Sequence, residues 1–555
     1  MLVILSMISS RAQVQDPLIQ VSTAQGNQGW PSVCYNYFED EYLVLWEDYR
    51  NSDATGSDIW GQIVKSDGTL KGGEFVVCNA PGDQYWPRAA YDHELGQYLV
   101  VFEDARNGSG DWNEFDIYGV FLDKNGKKVW TNGAESDSCF GVCTQEAGQH
   151  YPAVAANNSN YHFIANTVPY DEDVPDVAYC DATNEWLVVF AWQGEDDTFL
   201  PRIYGQRVNR FGQLLKQDGT KGMFQCPISE SHLQPCDFYC TDPIQPRLCF
   251  NNFEYLSMGK NSSREYQVLI NAMVVWTDFR KGDYSVTDVY GQQVIFLPDS
   301  EAVNMGLKQG PANDSTFYMT LTDSLGNPGA APWPNCPVSN ADSAQYHPGL
   351  AYSQTTNEFL VGFGDLRKGE PNIYCQRLQI GNDASIHWVG DDGITPIDPC
   401  VNIPIDTTDK SEMPLIGVAH SSDREEFFIT YTYGSLQSGA DIYARRYANV
   451  KTGIEKDQNT FAPANFEVYQ NYPNPFNPET VIRYNLPMKI RVRVTIYDIV
   501  GREIRTLLDR VQTQGLHSVR WNGTDEAGKR VASGVYFCEV QTKNQRLTRK
   551  LTLVR

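Results

Sequence analysis

Short apolar runs that end in an aromatic residue recur along most of the chain. Each run is a block of five residues, too short for a helix and typical of a strand that is buried on both faces. The runs occupy residues 42–46, 98–102, 186–190, 272–276, 359–363 and 427–431. The pattern predicts a β-structure without a helix of three turns or more in any repeat. It also predicts that one interior residue of each run is buried, namely Leu43, Val100, Val188, Val275, Leu360 and Ile429.

Each apolar run belongs to a longer repeat. An alternating segment follows it, of the type Asp-Ile-Tyr-Gly-Gln-Arg-Val, and starts at residues 58, 116, 202, 288, 372 and 441. A third element precedes the run, as in Trp30-Pro31 and His347-Pro348, and a weaker fourth element ends the repeat. Alternation indicates half-buried strands, and Asp-Gly and Asn-Gly dipeptides mark the turns between them.

Repeats of four strands that cannot bury their faces alone favour a radial array. The sequence therefore predicts an all-β fold in which residues 16–450 form a six-bladed β-propeller. A seventh blade is an alternative near residues 151–166, because residues 149–152 copy the start of a repeat. The last repeat lacks a clear outer strand. We expect residues 17–23 to supply it and to close the ring, which removes an exposed sheet edge.

Four apolar runs are followed by an Asp and an Arg two residues apart. The pairs are Asp48 and Arg50, Asp104 and Arg106, Asp278 and Arg280, and Asp365 and Arg367. Repetition in four blades favours an architectural role, in which Asp accepts turn N–H groups and Arg reaches a neighbouring carboxylate. The alternative is a calcium site, because Asp104, Asn107, Ser109 and Asp111 are closely spaced oxygen ligands. They do not match an EF-hand, and no other cofactor is predicted.

Charge is distributed unevenly. The chain carries a net charge of −25, but residues 461–555 contain 15 basic and 8 acidic side chains, so residues 1–460 carry −25 − 7 = −32. Such an acidic body repels phosphate backbones, which argues against nucleic-acid binding. The metalloprotease, serine-hydrolase and P-loop motifs are absent. Carboxylates are too numerous for a glycosidase pair to be chosen. Inward-facing carboxylates or histidines that break the repeat would favour a hydrolase over a binding protein, and the poorly repeating insertions 170–173 and 230–242 are where to look for them.

The N-terminus and the cysteines suggest export. Residues 2–8 are apolar but too few to span a bilayer, and residues 1–15 resemble a secretory signal peptide without its positively charged start. The alternative is a frayed N-terminal strand. Thirteen cysteines include two C-x₃-C pairs, Cys139 with Cys143 and Cys236 with Cys240. Local disulfides or buried thiols are the preferred interpretation, and a zinc site that includes His232 is the alternative.

The last 91 residues, 465–555, follow a polar linker at residues 451–464 and contain five or six short alternating segments. These fit two small antiparallel sheets. The motif residues are Asn471, Pro473, Asn474, Pro475, Phe476, Asn477, Pro478, Gly501, Trp521, Gly523 and Gly534. In order and spacing they closely resemble the type A C-terminal sorting domain of type IX secretion, a small immunoglobulin-like sandwich. Only Cys538 departs from that pattern.

The resemblance implies a partner and a location. Such domains are read by an outer-membrane export machine, so type IX secretion machinery is the expected partner. The protein is expected to be secreted or held on the outer surface of a diderm bacterium, without a transmembrane segment. An immunoglobulin-like module used only for adhesion is the alternative.

Three functions remain open at this point. The first is a non-enzymatic exported propeller that binds an extracellular glycan, protein or surface polymer. The second is a secreted, glycosidase-like hydrolase with its site at the central channel of the propeller. The third is a structural envelope protein without a specific ligand.

Overall fold

The computed structural model divides the chain into two compact units, Met1–Thr452 (unit 1) and Gly453–Arg555 (unit 2). The structure describes residues 13–22, 24–36, 39–92, 96–108, 115–129, 139–144, 150–157, 162–168, 172–180, 185–192, 202–209, 213–216, 221, 226–228, 246–251, 256–257, 267–268, 270–278, 287–298, 317–322, 328–329, 336–353, 356, 358–380, 386–390, 402–407, 415–421, 424, 426–435, 439–448, 466–468, 471, 476, 480–486, 490–512, 515–526, 528–543 and 545–554. Residues 1–12 of the expected signal peptide and the whole of the expected linker, residues 451–464, lie outside the described residues. Residues 13–15 of the expected signal peptide belong to the first strand.

Unit 1 is built almost wholly from strands. They are β1 (Gln13–Gln20), β2 (Gln28–Asn36), β3 (Glu41–Asp48), β4 (Asp58–Lys65), β5 (Leu70–Cys78), β6 (Gln84–Asp92), β7 (Gln97–Asp104), β8 (Asp116–Asp123), β9 (Phe140–Cys143), β10 (His150–Asn157), β11 (His162–Val168), β12 (Glu172–Cys180), β13 (Glu185–Trp192), β14 (Arg202–Asn209), β15 (Leu214–Leu215), β16 (Cys226–Pro227), β17 (Arg247–Asn251), β18 (Leu256–Ser257), β19 (Gln267–Val268), β20 (Ile270–Asp278), β21 (Asp288–Pro298), β22 (Phe317–Thr322), β23 (Pro328–Gly329), β24 (Cys336–Ser339), β25 (Gln345–Ser353), β26 (Glu358–Asp365), β27 (Asn372–Ile380), β28 (Ile386–Val389), β29 (Ile403–Asp406), β30 (Ile416–Ser421), β31 (Glu426–Ser435) and β32 (Gly439–Ala448). The one helix among the described residues, α1 (Ser52–Thr55), has four residues. No described helix has the length and apolar character needed to cross a membrane.

Within the described residues these strands form seven consecutive antiparallel sheets and one small extra pair, β18 with β19. The sheets are sheet 1 (β2-β3-β4-β5), sheet 2 (β6-β7-β8-β9), sheet 3 (β10-β11), sheet 4 (β12-β13-β14-β15, with β16 on β14), sheet 5 (β17-β20-β21-β22-β23, with β24 on β21), sheet 6 (β25-β26-β27-β28, with β29 on β27) and sheet 7 (β30-β31-β32-β1). The predicted all-β architecture is therefore confirmed. The segment that suggested a seventh blade forms sheet 3.

The repeated apolar runs are the second strands of six sheets. In β3 every residue is buried, because β2 and β4 flank it on both sides and neighbouring sheets cover both faces. The six predicted core residues, from Leu43 to Ile429, are at most 5% exposed, which confirms that prediction. The described part of each repeat also lacks a helix of three turns.

Hydrophobic clusters join each sheet to the next in chain order. Val44 and Trp46 of sheet 1 pack with Phe428 of sheet 7, so the last sheet also meets the first. The other six interfaces, between sheets 1 and 2, 2 and 3, 3 and 4, 4 and 5, 5 and 6, and 6 and 7, have clusters of their own. The cores of unit 1 therefore lie between sheets.

The N-terminal segment supplies the fourth strand of sheet 7. Strand β1 pairs antiparallel with β32, from Gln13 opposite Ala448 to Gln20 opposite Tyr443. Ile19 is buried in the cluster that sheets 7 and 1 share. The outer strand that the last repeat lacks in sequence is therefore present, and it comes from the other end of unit 1.

Unit 2 contains two antiparallel sheets around a separate core. Its strands are β33 (Glu467–Val468), β34 (Thr480–Leu486), β35 (Ile490–Asp498), β36 (Glu503–Gln512), β37 (Gly515–Trp521), β38 (Gly534–Gln541) and β39 (Arg546–Leu553). They form one sheet in the order β33-β34-β37 and another in the order β36-β35-β38-β39. Trp521 is fully buried in this core, where its ring contacts those of Phe476 and Tyr536.

Candidate functional site

Three of the four predicted Asp–Arg turns share one geometry. The carboxylate accepts the backbone N–H of the Arg at 2.8 to 2.9 Å, and it also accepts the guanidinium Nε–H and Nη2–H groups. The pairs are Asp48 with Arg50, Asp104 with Arg106, and Asp365 with Arg367. Each carboxylate side chain is 0% exposed, so each turn encloses a charge that its own arginine neutralises.

The guanidinium groups of these turns are held on both sides. Each lies over an aromatic ring of the next strand at 3.7 to 4.3 Å, with Arg50 over Trp60, Arg106 over Tyr118, and Arg367 over Tyr374. Such stacking adds a cation–π attraction to the ion pair. Burial lowers the pKa of Arg50, but the hydrogen bonds to Asp48 and Glu74 outweigh burial and hold that pKa above its ordinary value.

The fourth turn is described in part. Asp278 is buried and accepts the indole N–H of Trp276 at 3.0 Å, as Asp48 accepts that of Trp46 at 2.9 Å. Arg280 lies outside the described residues. The aromatic end of the apolar run therefore orients the turn carboxylate in two repeats.

The residues suggested for calcium do not form an open oxygen cage in the described chain. The carboxylate of Asp104 is bound to Arg106. Asn107 turns its amide nitrogen toward Asp116 and Tyr118, at 3.0 and 2.7 Å. Ser109 and Asp111 lie outside the described residues. Nowhere in the described chain do three or more His, Cys, Asp or Glu residues form a group that could hold a metal ion.

The cysteines of the first C-x₃-C pair are arranged differently from a local disulfide. The buried thiols of Cys139 and of Cys78, the last residue of β5 in sheet 1, belong to one cluster between sheets 1 and 2. Cys139 Sγ lies 4.0 Å from the carbonyl of Val77, and Cys78 Sγ lies 3.9 Å from Asp104 Oδ2. Cys78 and Cys139 are both free thiols. Cys236, Cys240 and His232 lie outside the described residues.

A second recurring feature lies in the first strands of the sheets. Trp30, Trp86, Tyr151 and His347 have positive φ values of 54°, 55°, 51° and 53°. Each precedes a proline, and the strand pairing shifts register around each of them. A left-handed backbone at a bulky residue costs about 1–3 kcal/mol and persists only where surrounding contacts hold it. Such strain often accompanies functional sites.

Neighbouring sheets supply the contacts that hold three of these bulges. The N–H of Trp86 donates to Glu47 Oε1 at 2.9 Å, and the N–H of Tyr151 donates to Glu103 Oε1 at 2.6 Å. The N–H of His347 donates to Thr277 Oγ1 at 3.2 Å. The acceptor is always the residue before the turn Asp of the preceding repeat. The turns and the bulges are therefore parts of one repeated framework.

The bulged residues bring aromatic rings together. The ring centroids of Trp30 and Trp86 are 4.0 Å apart, and those of Trp86 and Tyr151 are 5.1 Å apart. One cleft is lined by Trp30, Pro31, Trp86, Arg88, Arg247, His347, Leu415 and Ile416. These residues come from the first strands of sheets 1, 2, 5, 6 and 7 or directly precede them. We call this the axial cleft, because residues of sheets so far apart in the packing order meet there.

Two arginines in the axial cleft differ from those of the turns. Arg88 and Arg247 are half-buried, and each donates an Nη1–H to the carbonyl of its own preceding proline at 3.0 Å. Neither forms an ion pair with a carboxylate of the described residues. Burial, together with the charge of Arg247, lowers the pKa of Arg88 to about 9, and burial also lowers the pKa of Arg247.

Carboxylates lie near these arginines, but they accept hydrogen bonds from other groups. Asp176 accepts the backbone N–H of Leu248 at 2.7 Å, and burial raises its pKa against the opposing charge of Arg247. Glu47 accepts the Trp86 N–H on one oxygen and the Tyr49 hydroxyl on the other. Burial raises the pKa of Glu47 to about 8.

The axial cleft was not predicted, although the sequence contains a signal for it. An X-Pro dipeptide lies within the first four residues of the first strand of each sheet of unit 1, or just before that strand. The dipeptides are Trp30-Pro31, Trp86-Pro87, Tyr151-Pro152, Val174-Pro175, Gln245-Pro246, His347-Pro348 and Met413-Pro414. The residue after the proline varies, and it is charged only at Arg88, Asp176 and Arg247. Of the two insertions proposed for a catalytic site, residues 230–242 lie outside the described residues, and 170–173 are described only where β12 begins.

The predicted motif of unit 2 is described at part of its positions. Asn471 donates from Nδ2 to Thr480 Oγ1 at 2.8 Å, and the N–H of Phe476 donates to the carbonyl of Thr552 at 2.9 Å. Trp521 donates its indole N–H to the carbonyl of Thr524. Gly501 and Gly523 have positive φ, and Gly534 starts β38, whose Cys538 is buried. Pro473, Asn474, Pro475, Asn477 and Pro478 lie outside the described residues.

Residues 478–546 match the FlgD Ig-like domain family. Unit 2 therefore contains an Ig-like domain, which confirms that part of the resemblance. A search of curated protein sequences gives no match to the chain.

Several solved structures are similar to the chain at low sequence identity. A protein of unknown function from Dyadobacter fermentans has 8% identity and a TM-score of 0.40, with 79% of this chain and 98% of that one covered. An α-L-arabinanase from Penicillium chrysogenum, complexed with arabinobiose, has 9% identity and a TM-score of 0.38, with 79% and 99% covered. PorZ, a surface component of the type IX secretion system of Porphyromonas gingivalis, has 12% identity and a TM-score of 0.30, with 96% and 61% covered. TM-scores at this level carry no functional argument.

Proposed function

We propose that unit 1 is a closed β-propeller, with six repeated blades and sheet 3 as a seventh, smaller one. Its axial cleft binds an extracellular saccharide without cleaving it. The observation that supports this proposal is the convergence of Trp30 and Trp86 with Arg88, Arg247 and His347 in one cleft. Aromatic walls with a few polar groups are typical of small-molecule sites.

The aromatic pair suits a sugar ring. A pyranose presents C–H groups on its faces and hydroxyl groups on its edge. The C–H groups pack against an indole face, while the hydroxyls reach polar side chains around it. The strained backbone at Trp30 and Trp86 is consistent with this role, because it fixes both indoles before a ligand arrives.

Hydrolysis is the second candidate, because the carboxyl groups of Glu47 and Asp176, which act on the cleft arginine Arg88, have raised pKa values. A glycosidase needs one carboxylic acid as proton donor and one carboxylate as base or nucleophile. Glu47 would be protonated near neutral pH, since burial raises its pKa to about 8. Both of its oxygens, however, already accept hydrogen bonds from Trp86 and Tyr49. Glu47 therefore helps to hold the bulge at Trp86 in place, which favours a binding site over a catalytic one.

A binding measurement on the full chain separates the two functions. We expect an oligosaccharide array to identify ligands, and Trp86→Leu to weaken their binding at least tenfold by removing the indole face. Tyr433→Leu is the matched control, because Tyr433 is a half-buried aromatic residue of β31 that does not line the cleft. Melting temperatures of both variants check folding. Release of reducing ends from the bound sugars would favour the hydrolase, and no binding to any sugar would contradict both functions.

Unit 2 is, in this proposal, a type A sorting domain that directs type IX export to the cell surface or the medium. The support is the motif order over residues 471–534 and the separate core around Trp521. We expect residues 453–555 to carry a periplasmic reporter to the surface in a host with this machinery. A known sorting domain on the same reporter is the positive control. Retention of the reporter in the periplasm while the control is exported would contradict the proposal.

A further inference from the structure

The two arginines of the axial cleft, Arg88 and Arg247, form no ion pair with a carboxylate of the described residues. Arg88 follows Pro87 in sheet 2, and Arg247 follows Pro246 in sheet 5. Both side chains line the axial cleft, and both hydrogen bonds recorded for them go to neutral carbonyl oxygens. Two like charges in a half-buried cleft repel each other and lose solvation. This arrangement disfavours the empty state of the cleft.

The carboxyl groups that surround the two arginines act on them without direct contact. The acidic groups that act on Arg88 are Asp176, Glu47 and Glu103, and none of them forms an ion pair with it. Asp176 and Glu103 each accept a backbone N–H from the following sheet. Their oxygens are therefore directed toward the framework. A ligand anion is the partner that would bring negative charge into direct contact with both guanidinium groups.

We propose that the saccharide bound in the axial cleft carries a carboxylate, as a uronic acid does, and that Arg88 and Arg247 bind this carboxylate together. Trp30 and Trp86 pack against the sugar ring beside it. This inference rests on the proposed saccharide-binding function and specifies its ligand class. The fork of guanidinium N–H donors matches a carboxylate, and charge-assisted hydrogen bonds of this kind are roughly twice as strong as neutral ones.

The acidity of the remainder of the chain strengthens this inference. Residues 1–460 carry a net charge of −32, which repels polyanions from most of the surface. Because Arg88 and Arg247 line the axial cleft, an anion is attracted to this cleft more than to the remainder of the surface. We therefore expect selective recognition of an acidic sugar rather than general adhesion to acidic polymers.

Paired oligosaccharides test the carboxylate directly. The probes are trisaccharides of galacturonate, of mannuronate and of the hyaluronan repeat, each with its carboxyl-reduced counterpart. The two members of a pair share the sugar faces and differ in charge. Titration calorimetry on the full chain should show at least tenfold tighter binding of an acidic probe than of its reduced counterpart, and the preference should decrease with added salt.

Arginine variants assign that preference to the cleft. We expect Arg88→Met and Arg247→Met each to abolish the preference, while Arg88→Lys retains part of it. Lys124→Met is the control, since it also removes one positive charge from unit 1 but lies at an exposed ion pair with Glu39. It should leave the preference unchanged. Melting temperatures confirm that each variant is folded.

The outcomes distinguish this inference from the proposed function. Equal binding of acidic and reduced probes, with loss of both in Trp86→Leu, would overturn the carboxylate and keep saccharide binding. Binding of acidic probes that Arg88→Met and Arg247→Met leave intact would also overturn the inference. No binding of any sugar, including those of the array, would overturn the proposed function itself.

Discussion

The arginines of the Asp–Arg turns and those of the axial cleft have contrasting surroundings. In the Asp–Arg turns, Arg50, Arg106 and Arg367 each bind a buried carboxylate and lie over an aromatic ring. In the axial cleft, Arg88 and Arg247 form no ion pair with a described carboxylate, and each donates a hydrogen bond to a neutral proline carbonyl. The first setting recurs from repeat to repeat, whereas the second occurs at one place. Repetition indicates scaffold, and the departure from it indicates a ligand site.

The two settings are connected through single residues. Glu47 and Glu103 directly precede the turn residues Asp48 and Asp104, and they hold the bulges at Trp86 and Tyr151. A turn in one repeat therefore helps to position a cleft residue in the next. In the proposed function, this connection lets a repeated framework present an asymmetric cleft.

The largest effect on stability is expected at the turn carboxylates. Asp48→Ala, Asp104→Ala, Asp278→Ala and Asp365→Ala should each lower the free energy of unfolding by roughly 1–3 kcal/mol, because each leaves buried donors unsatisfied. The losses should be similar, and nearly additive for turns more than ~10 Å apart. Chemical denaturation measures them, and ligand binding should survive every single change. One variant that loses binding at unchanged stability would place that turn in the site.

A smaller effect is expected from the pH dependence of Glu47. Its pKa in the folded protein is raised to about 8 from a usual 4.5, chiefly by burial, so folding favours the protonated form. The stabilisation is complete below pH 4.5 and is lost as the pH rises through 8, with a slope below the ~1.4 kcal/mol per pH unit that one proton allows. Tyr49, Glu103 and Arg88 are the charged or titratable groups that act on it.

Glu47→Gln tests this assignment. The amide oxygen can still accept the Trp86 N–H, but the side chain no longer titrates. Unfolding measured between pH 5 and 9 should therefore depend less on pH in the variant than in the original protein. Equal pH dependence of the two proteins would show that Glu47 ionises normally.

The smallest effect is expected from a chelator. If the turn carboxylates are satisfied by arginine and backbone donors, EDTA should leave the melting temperature of the full chain unchanged. The calcium alternative at Asp104, Asn107 and Asp111 predicts a decrease of many degrees. Addition of calcium to the EDTA-treated protein is the control, and recovery of a lost melting temperature would support that alternative.

The sequence predicted the elements that rest on local pattern. The five-residue apolar runs became buried second strands, and the strand at the N-terminus completed sheet 7, because burial on two faces and an unpaired edge leave distinct signatures. The hydrogen bond from the turn N–H to Asp48 also followed from residue type and spacing. The ion pair of Arg50 with the same Asp48 did not, because Arg was expected to reach a neighbouring carboxylate, as it does at Glu74. The confirmed inferences depend only on residues close together in the sequence of one repeat, or on the absence of one strand from a repeat.

The cleft was not predictable in the same way. Arg88 and Arg247 are 159 residues apart in the sequence, and only the packing order of the sheets brings them together. The bulges at Trp86 and Tyr151, which have positive φ, are held by contacts with the preceding sheet, and no local propensity reports such contacts. The seven X-Pro dipeptides show where the first strands begin, but not which variable residues face one cleft.

The central claim is that the turn arginines are scaffold and the cleft arginines bind ligand. The most direct measurement compares Arg50→Met with Arg88→Met for melting temperature and for binding of the acidic trisaccharides. We predict that Arg50→Met lowers the melting temperature and keeps binding. Arg88→Met should keep or raise the melting temperature, because it removes an unpaired charge, and should lose the acidic preference. A stable Arg50→Met together with a destabilised, fully binding Arg88→Met would contradict the account.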